Sequence, residues 1–244
     1  MEKQSLNARL SQISTAWSVL RQAHDGPADA VAAAQQFLLQ RYGGAVHRYL
    51  LATLRDSHAA DDLTQEFGLR LVRGDFHHAD PRRGHFRHYV KTVLFHLVSR
   101  YRKQQQTQPL ASDSPELADL SVRDEDAEHC FQDSWREQLL SRAWEALAEA
   151  QPLFYAVLHF RAANPGLTSA EMAEQLSRQL DRPLTPAAAR QALHRAREKF
   201  AELLIDEVAQ SFERPTAEHV EQELLDLGLL TYCQAALARY VRGS

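Results

Sequence analysis

Apolar residues along this chain recur at three- and four-residue intervals, and nowhere do apolar and polar residues alternate long enough to build a strand. That periodicity restricts the chain to an all-α fold. Leu, Ala, Gln, Arg and Glu dominate and glycine is sparse, which favours helix over turn-rich β structure. A helix is expected over 32–54, with Phe37, Leu38, Tyr42, Val46, Tyr49 and Leu50 on its apolar side. Others are expected over 61–72 and 86–103. Periodicity resumes at Trp135 and runs, with breaks, to Phe212. A last amphipathic segment follows Arg214-Pro215, carrying Val220, Leu224, Leu227, Leu230 and Tyr232.

Between the two helical regions the character changes. Residues 104–133 hold Asp113, Glu116, Asp119, Asp124, Glu125, Asp126, Glu128 and Asp133 against one cation, Arg123, and Pro109 and Pro115 interrupt them. Such a stretch reads as a flexible acidic linker. The expected organisation is a helical domain (1–106), a linker (107–133), a second helical domain (134–212) and a helical C-terminal extension (213–244). The chain of 244 residues suffices for two modest domains. No apolar run is long enough to span a bilayer, and the first ten residues lack the apolar core of a secretory signal. Cys130 and Cys233 lie far apart and suggest neither a disulfide framework nor a CxxC metal site. The expectation is a cytoplasmic protein without membrane insertion and without a cofactor.

The segment 81–103 stands out against a net charge of −4. It holds Arg82, Arg83, Arg87, Lys91, Arg100, Arg102 and Lys103, no acid, and the aromatics Phe86, Tyr89, Phe95 and Tyr101. Cations neutralise phosphates and aromatic faces stack on unpaired bases, so the pairing points to nucleic acid with accessible bases. On a helical wheel Phe86, Tyr89, Val90, Val93, Leu94, Leu97 and Tyr101 form an expected core face. His88, Lys91, Thr92, Phe95, Ser99, Arg102 and Lys103 gather opposite, with Phe95 as an expected exposed stacking platform. A solvated basic face with Phe95 packed on a neighbouring helix is the competing reading.

Two further segments carry chemistry. In 61–71, Leu63, Phe67 and Leu71 share a buried stripe, while Asp62, Glu66 and Leu69 share another, flanked by Asp61 and Gln65. Acids beside an apolar anchor can dock a basic partner helix, and the same acids also suit a helix N-terminus. Further on, Thr168-Ser169-Ala170-Glu171 is a capping box, and Thr185-Pro186 an N-cap with Pro at the first helical position. The second helix is expected to bury Ala189, Leu193, Ala196, Phe200 and Leu203 and to expose Ala187, Gln191, His194, Arg195 and Glu198, with Arg190 and Arg197 on one flank and Lys199 on the other. Two capped helices around a tight break, the second basic outside, match a DNA-reading helix-turn-helix or a plain helical hairpin.

Taken in order, three stretches resemble bacterial RNA polymerase sigma factors of the extracytoplasmic-function type. Asp61-Asp62-Leu63-Thr64-Gln65-Glu66-Phe67 resembles the acidic run D-A-E-D-L-x-Q-E-x-F of region 2.2. Arg83-Gly84-His85-Phe86-Arg87-His88-Tyr89 resembles regions 2.3 and 2.4. Residues 188–197 resemble the region 4.2 recognition helix, V-R-x-x-L-H-R-A-R. The resemblance implies two helical domains, sigma regions 2 and 4. Core RNA polymerase would be bound through Asp61, Asp62, Gln65, Glu66 and Leu69. The melted −10 element of promoter DNA would be held by Arg83, His85, Arg87, His88, Lys91, Phe95, Arg102 and Lys103. The −35 element would be read by Thr185, Arg190, Gln191, His194 and Arg195, with Arg197 and Lys199 near phosphates. The chain itself would catalyse nothing, and the linker would thread toward the polymerase RNA exit path.

The chain departs from the family pattern at Ala59, where the family often has Asp. Thr64 lies inside the docking run, and 15–18 and 75–87 resemble a branch controlled by a Ser/Thr kinase; an anti-sigma factor is the other expected regulator. The extension after Arg214 either extends the core or folds over the DNA-reading face. Two rival readings remain. One is a helix-turn-helix regulator that never joins polymerase. The other is a metalloenzyme built on His77, His78, Asp80, His85 and His88, whose spacing fits no strong ligand motif.

Overall fold

The computed structural model describes residues 16–76, 86–107 and 124–242. These form ten α-helices and, among the described residues, no strand, as the periodicity requires. They are α1 (Ala16–Asp25), α2 (Ala28–Leu54), α3 (Ser57–Arg73), α4 (Phe86–Thr107), α5 (Asp124–Ala150), α6 (Pro152–Ala163), α7 (Ser169–Gln179), α8 (Pro186–Ala209), α9 (Ala217–Asp226) and α10 (Leu230–Arg242). The chain divides into two compact units. Residues 13–138 join 210–215 in one, and 139–209 join 216–244 in the other.

The first unit is built on α2, which packs against α1, α3 and α4. Its core is aromatic. The Phe86 ring meets Trp17 and Tyr42 edge-on at 5.1 and 4.9 Å, and Tyr42 stacks flat on Trp135 at 5.1 Å. Tyr49 meets Phe131 edge-on at 5.8 Å. Phe131 and Trp135 belong to α5, whose helix starts at Asp124, so residues 124–133 of the stretch read as linker are helical. The acidic composition hid this, because the first seven residues of the helix hold four acids and the aromatics that anchor it begin only at Phe131.

A second surprise closes this unit. Residues 210–215, assigned by sequence to the second domain and the extension, cap two helices of the first unit. The first amide of α1, Ala16 N, donates to Gln210 O at 2.7 Å, and the first amide of α4, Phe86 N, donates to Ser211 O at 3.3 Å. Helix N-termini leave such amides unmatched unless something accepts from them. Gln210 Oε1 also accepts from the buried Arg41 guanidinium at 2.7 Å, and Glu213 pairs with Arg21 at 2.7 Å.

In the second unit α8 is the hub, touching α6, α7, α9 and α10. Val157, Met172, Ala173, Leu176 and Ala189 form a small buried core between α6, α7 and the start of α8. Val220, Leu224, Leu227, Cys233, Ala236 and Leu237 are buried as well, so the C-terminal extension packs into this unit through α8. Within the unit Arg142 pairs with Glu207 at 3.0 Å, both largely buried.

Candidate functional site

The acidic helix α3 is fixed at both ends. Asp56 accepts from His58 N and Ala59 N at 2.9 and 3.2 Å, and Gly74, at φ 85°, ends it in the left-handed conformation that glycine adopts without strain. Leu63, Phe67 and Leu71 are buried on the side turned to the core. Asp61, Asp62 and Gln65 are exposed, and Leu69 and Val72 are 52% and 50% exposed. Asp62, Gln65, Leu69 and Val72 follow at intervals of three and four and make one solvent-facing stripe, acidic at its start and apolar at its end. Sequence reasoning missed Val72, although its spacing from Leu69 was available.

Glu66 departs from its expected place. It is half-buried and pairs with Arg70 at 2.8 Å and with Arg100 of α4. Burial alone would raise its carboxyl, but hydrogen bonds from Arg100 and Arg70 hold it below the ordinary value. It ties α3 to α4 rather than facing a partner. Asp61 lies 3.0 Å from His47 Nε2. The Thr64 hydroxyl donates to Ala60 O at 2.7 Å.

On α4 the expected wheel is rotated. Phe86, Val90, Leu94 and Leu97 are buried as expected, but Arg87 and Val98 are buried with them, Arg87 at 2% exposure. Arg87 therefore does not present its cation to solvent. Thr92, His96, Ser99, Arg100, Lys103, Gln104 and Gln105 are exposed, while His88, Lys91, Phe95 and Arg102 are half-buried. The reason lies in what covers that edge. Phe95 rests on Tyr49 of α2 with ring centroids 6.1 Å apart, so it is not an open platform. Lys91 pairs with Glu128 of α5 and lies 5.9 Å from the Phe95 ring, and Arg102 donates to Thr53 O at 3.4 Å. Arg83 and His85 lie outside the described residues, as do His77, His78 and Asp80 of the metal reading. Among the described residues no cluster of three or more His, Cys, Asp or Glu could hold a metal ion.

In the second unit the hairpin is secured as its caps predict. Thr168 Oγ1 accepts from Glu171 N at 3.3 Å, and the Glu171 carboxylate accepts from Thr168 N at 2.8 Å. Hydrogen bonds from the Thr168 hydroxyl and amide hold that carboxyl below its ordinary value. In the turn, Ser177 Oγ donates to Ala173 O at 2.7 Å and accepts from Leu184 N at 2.8 Å. Thr185 then caps α8, its hydroxyl accepting from Ala188 N at 3.1 Å. Ala189, Ala196 and Phe200 are buried, and Arg190, Gln191, His194, Arg195 and Arg197 are exposed. His194 pairs with Glu198 at 2.9 Å and Lys199 with Glu202 at 3.2 Å. The extension packs beside this face: Thr231, Tyr232 and Ala235 of α10 line a groove with His194, Arg197 and Glu198. It leaves Arg190 and Gln191 exposed.

With this geometry in place, comparison with known proteins adds one finding. Residues 38–108, from within α2 to just past α4, match the family model for sigma-70 region 2. The match spans 71 of the chain's 244 residues and likens that segment to sigma-70 region 2. No curated protein and no solved structure matches the chain at a significant level. Among the described residues no helix is long and apolar enough to cross a membrane.

Proposed function

We propose that the chain is a cytoplasmic sigma factor of the extracytoplasmic-function type, which joins core RNA polymerase and directs promoter recognition and opening. The observation that carries this reading is the exposed stripe Asp62, Gln65, Leu69 and Val72 on α3, inside the segment that matches sigma-70 region 2. A short acidic and apolar stripe suits a basic helix of a large partner, with charge steering the approach and Leu69 as anchor. On this reading α4 meets the melted −10 strand, and α8 reads duplex −35 DNA. Exposed Arg190, Gln191 and Arg195 reach the base edges and Arg197 the phosphates. The chain carries promoter choice and the polymerase carries the chemistry.

Control belongs to the same proposal, through an anti-sigma factor or a Ser/Thr kinase acting at Thr64. Phosphorylation there would open the hydroxyl's bond to Ala60 O and add negative charge next to the docking stripe. Full transcription with unphosphorylated protein would overturn the kinase part. The docking part is tested by pull-down with core polymerase. The wild-type chain should be retained, and Leu69→Asp, on an already exposed site, should lose at least tenfold in affinity, about 1.4 kcal/mol. A chain that binds duplex promoter DNA but never core polymerase would instead be a free-standing helix-turn-helix regulator.

A further inference from the structure

Three half-buried residues on one edge of α4 carry the chemistry expected for a single strand: Lys91, Phe95 and Arg102. In the protein as folded, each already has an occupant. The Lys91 ammonium is paired with the Glu128 carboxylate, and Phe95 lies against Tyr49. Tyr49 in turn meets the Phe131 ring, and Arg102 is drawn to Thr53 O. Glu128 and Phe131 both stand on the first half of α5, and that half belongs to the same compact unit as α4. Glu128, near the start of that helix, sets a charge opposite to Lys91 against this edge.

We infer that the start of α5 is a built-in competitor for the nucleic-acid edge of α4, with the Glu128 carboxylate standing where a strand phosphate binds and Phe131 backing the Tyr49 ring that lies against Phe95. The inference rests on the reading of α4 as the face that meets the melted strand. Its chemistry is exchange of one anion for another: Lys91 keeps its charge partner throughout, so a strand gains at that position only what it offers beyond Glu128. Weak or non-specific nucleic acid is then refused, while a strand that also engages Phe95 and Arg102 displaces the helix start.

The test is a double-mutant cycle on the full-length protein, read by fluorescence anisotropy of a labelled A/T-rich single-stranded oligonucleotide. Circular dichroism confirms that each variant is folded. Glu128→Gln should tighten binding about two- to fivefold, the range of a partly exposed ion pair. Lys91→Ala should weaken binding, and Glu128→Gln should change nothing when Lys91 is already Ala. The inference is overturned if Glu128→Gln leaves affinity unchanged while Lys91→Ala weakens it, which would keep the strand on α4 but deny the competitor. It is equally overturned if Glu128→Gln has the same effect in both Lys91 backgrounds, the mark of general charge. Lys91→Ala binding as tightly as wild type with either residue at 128 would defeat the strand-binding reading of this edge as well.

Discussion

Glu66 shows how one carboxylate can be moved from a partner surface into the architecture. Its pairing with Arg70 and Arg100 makes it ionise more easily in the folded chain than in the unfolded one. It therefore stabilises above the unfolded-state value of 4.5, and that contribution is lost as pH falls through the lower folded-state value. Glu66→Gln should lower the denaturation midpoint at neutral pH, and the gap from wild type should close on acidification. A gap that stays constant with pH would deny the charge role. The two cysteines give a second residue-scale expectation. Burial pushes the Cys233 thiol up to about 12, and burial also raises Cys130. Thiolate is the reactive form, so native protein should resist alkylation at Cys233 at neutral pH, and Cys130, less buried, should react first.

Elements were legible in the sequence where two signals coincided. The capping box at Thr168 and the Thr185-Pro186 start located α7 and α8, and the wheel for α8 placed Ala189, Ala196 and Phe200 inside and Gln191, His194 and Arg195 outside, whereas Leu193, Leu203 and Glu198 are half-buried. The α3 core stripe was equally legible from Leu63, Phe67 and Leu71. The α4 wheel was not, because a wheel takes its core face from the helix's own apolar residues. Here α5 and α2 also covered the flank bearing Lys91 and Phe95 and rotated the buried side toward Arg87 and Val98. A composition-based linker at 107–133 concealed the covering helix. Ends of elements can be tested singly. Gly74→Ala should cost about 1–2 kcal/mol in denaturant unfolding, since φ 85° strains any residue with a Cβ. A neutral result would mean that α3 ends differently in solution.

For the whole molecule, the unforeseen feature is that Gln210–Pro215 is part of the first unit although α8 of the second unit ends at Ala209. No periodicity marks a six-residue capping segment, and its partners Ala16, Arg41 and Phe86 lie more than a hundred residues upstream. Gln210→Ala removes one acceptor of the buried Arg41, a loss of about 1–3 kcal/mol for a hydrogen bond to a charged group. Amide exchange should then quicken in α1 and α4 while α7 keeps its protection; equal exchange in all three would show that the segment does not hold the first unit together. The central claim concerns what the α3 stripe does for transcription. Its most direct test is run-off transcription with core polymerase and a promoter library, comparing the wild-type chain with Leu69→Asp. Promoter-specific transcripts that require the chain and vanish with Leu69→Asp are the predicted result. Failure of the chain to bind core polymerase, phosphorylated or not, would contradict it.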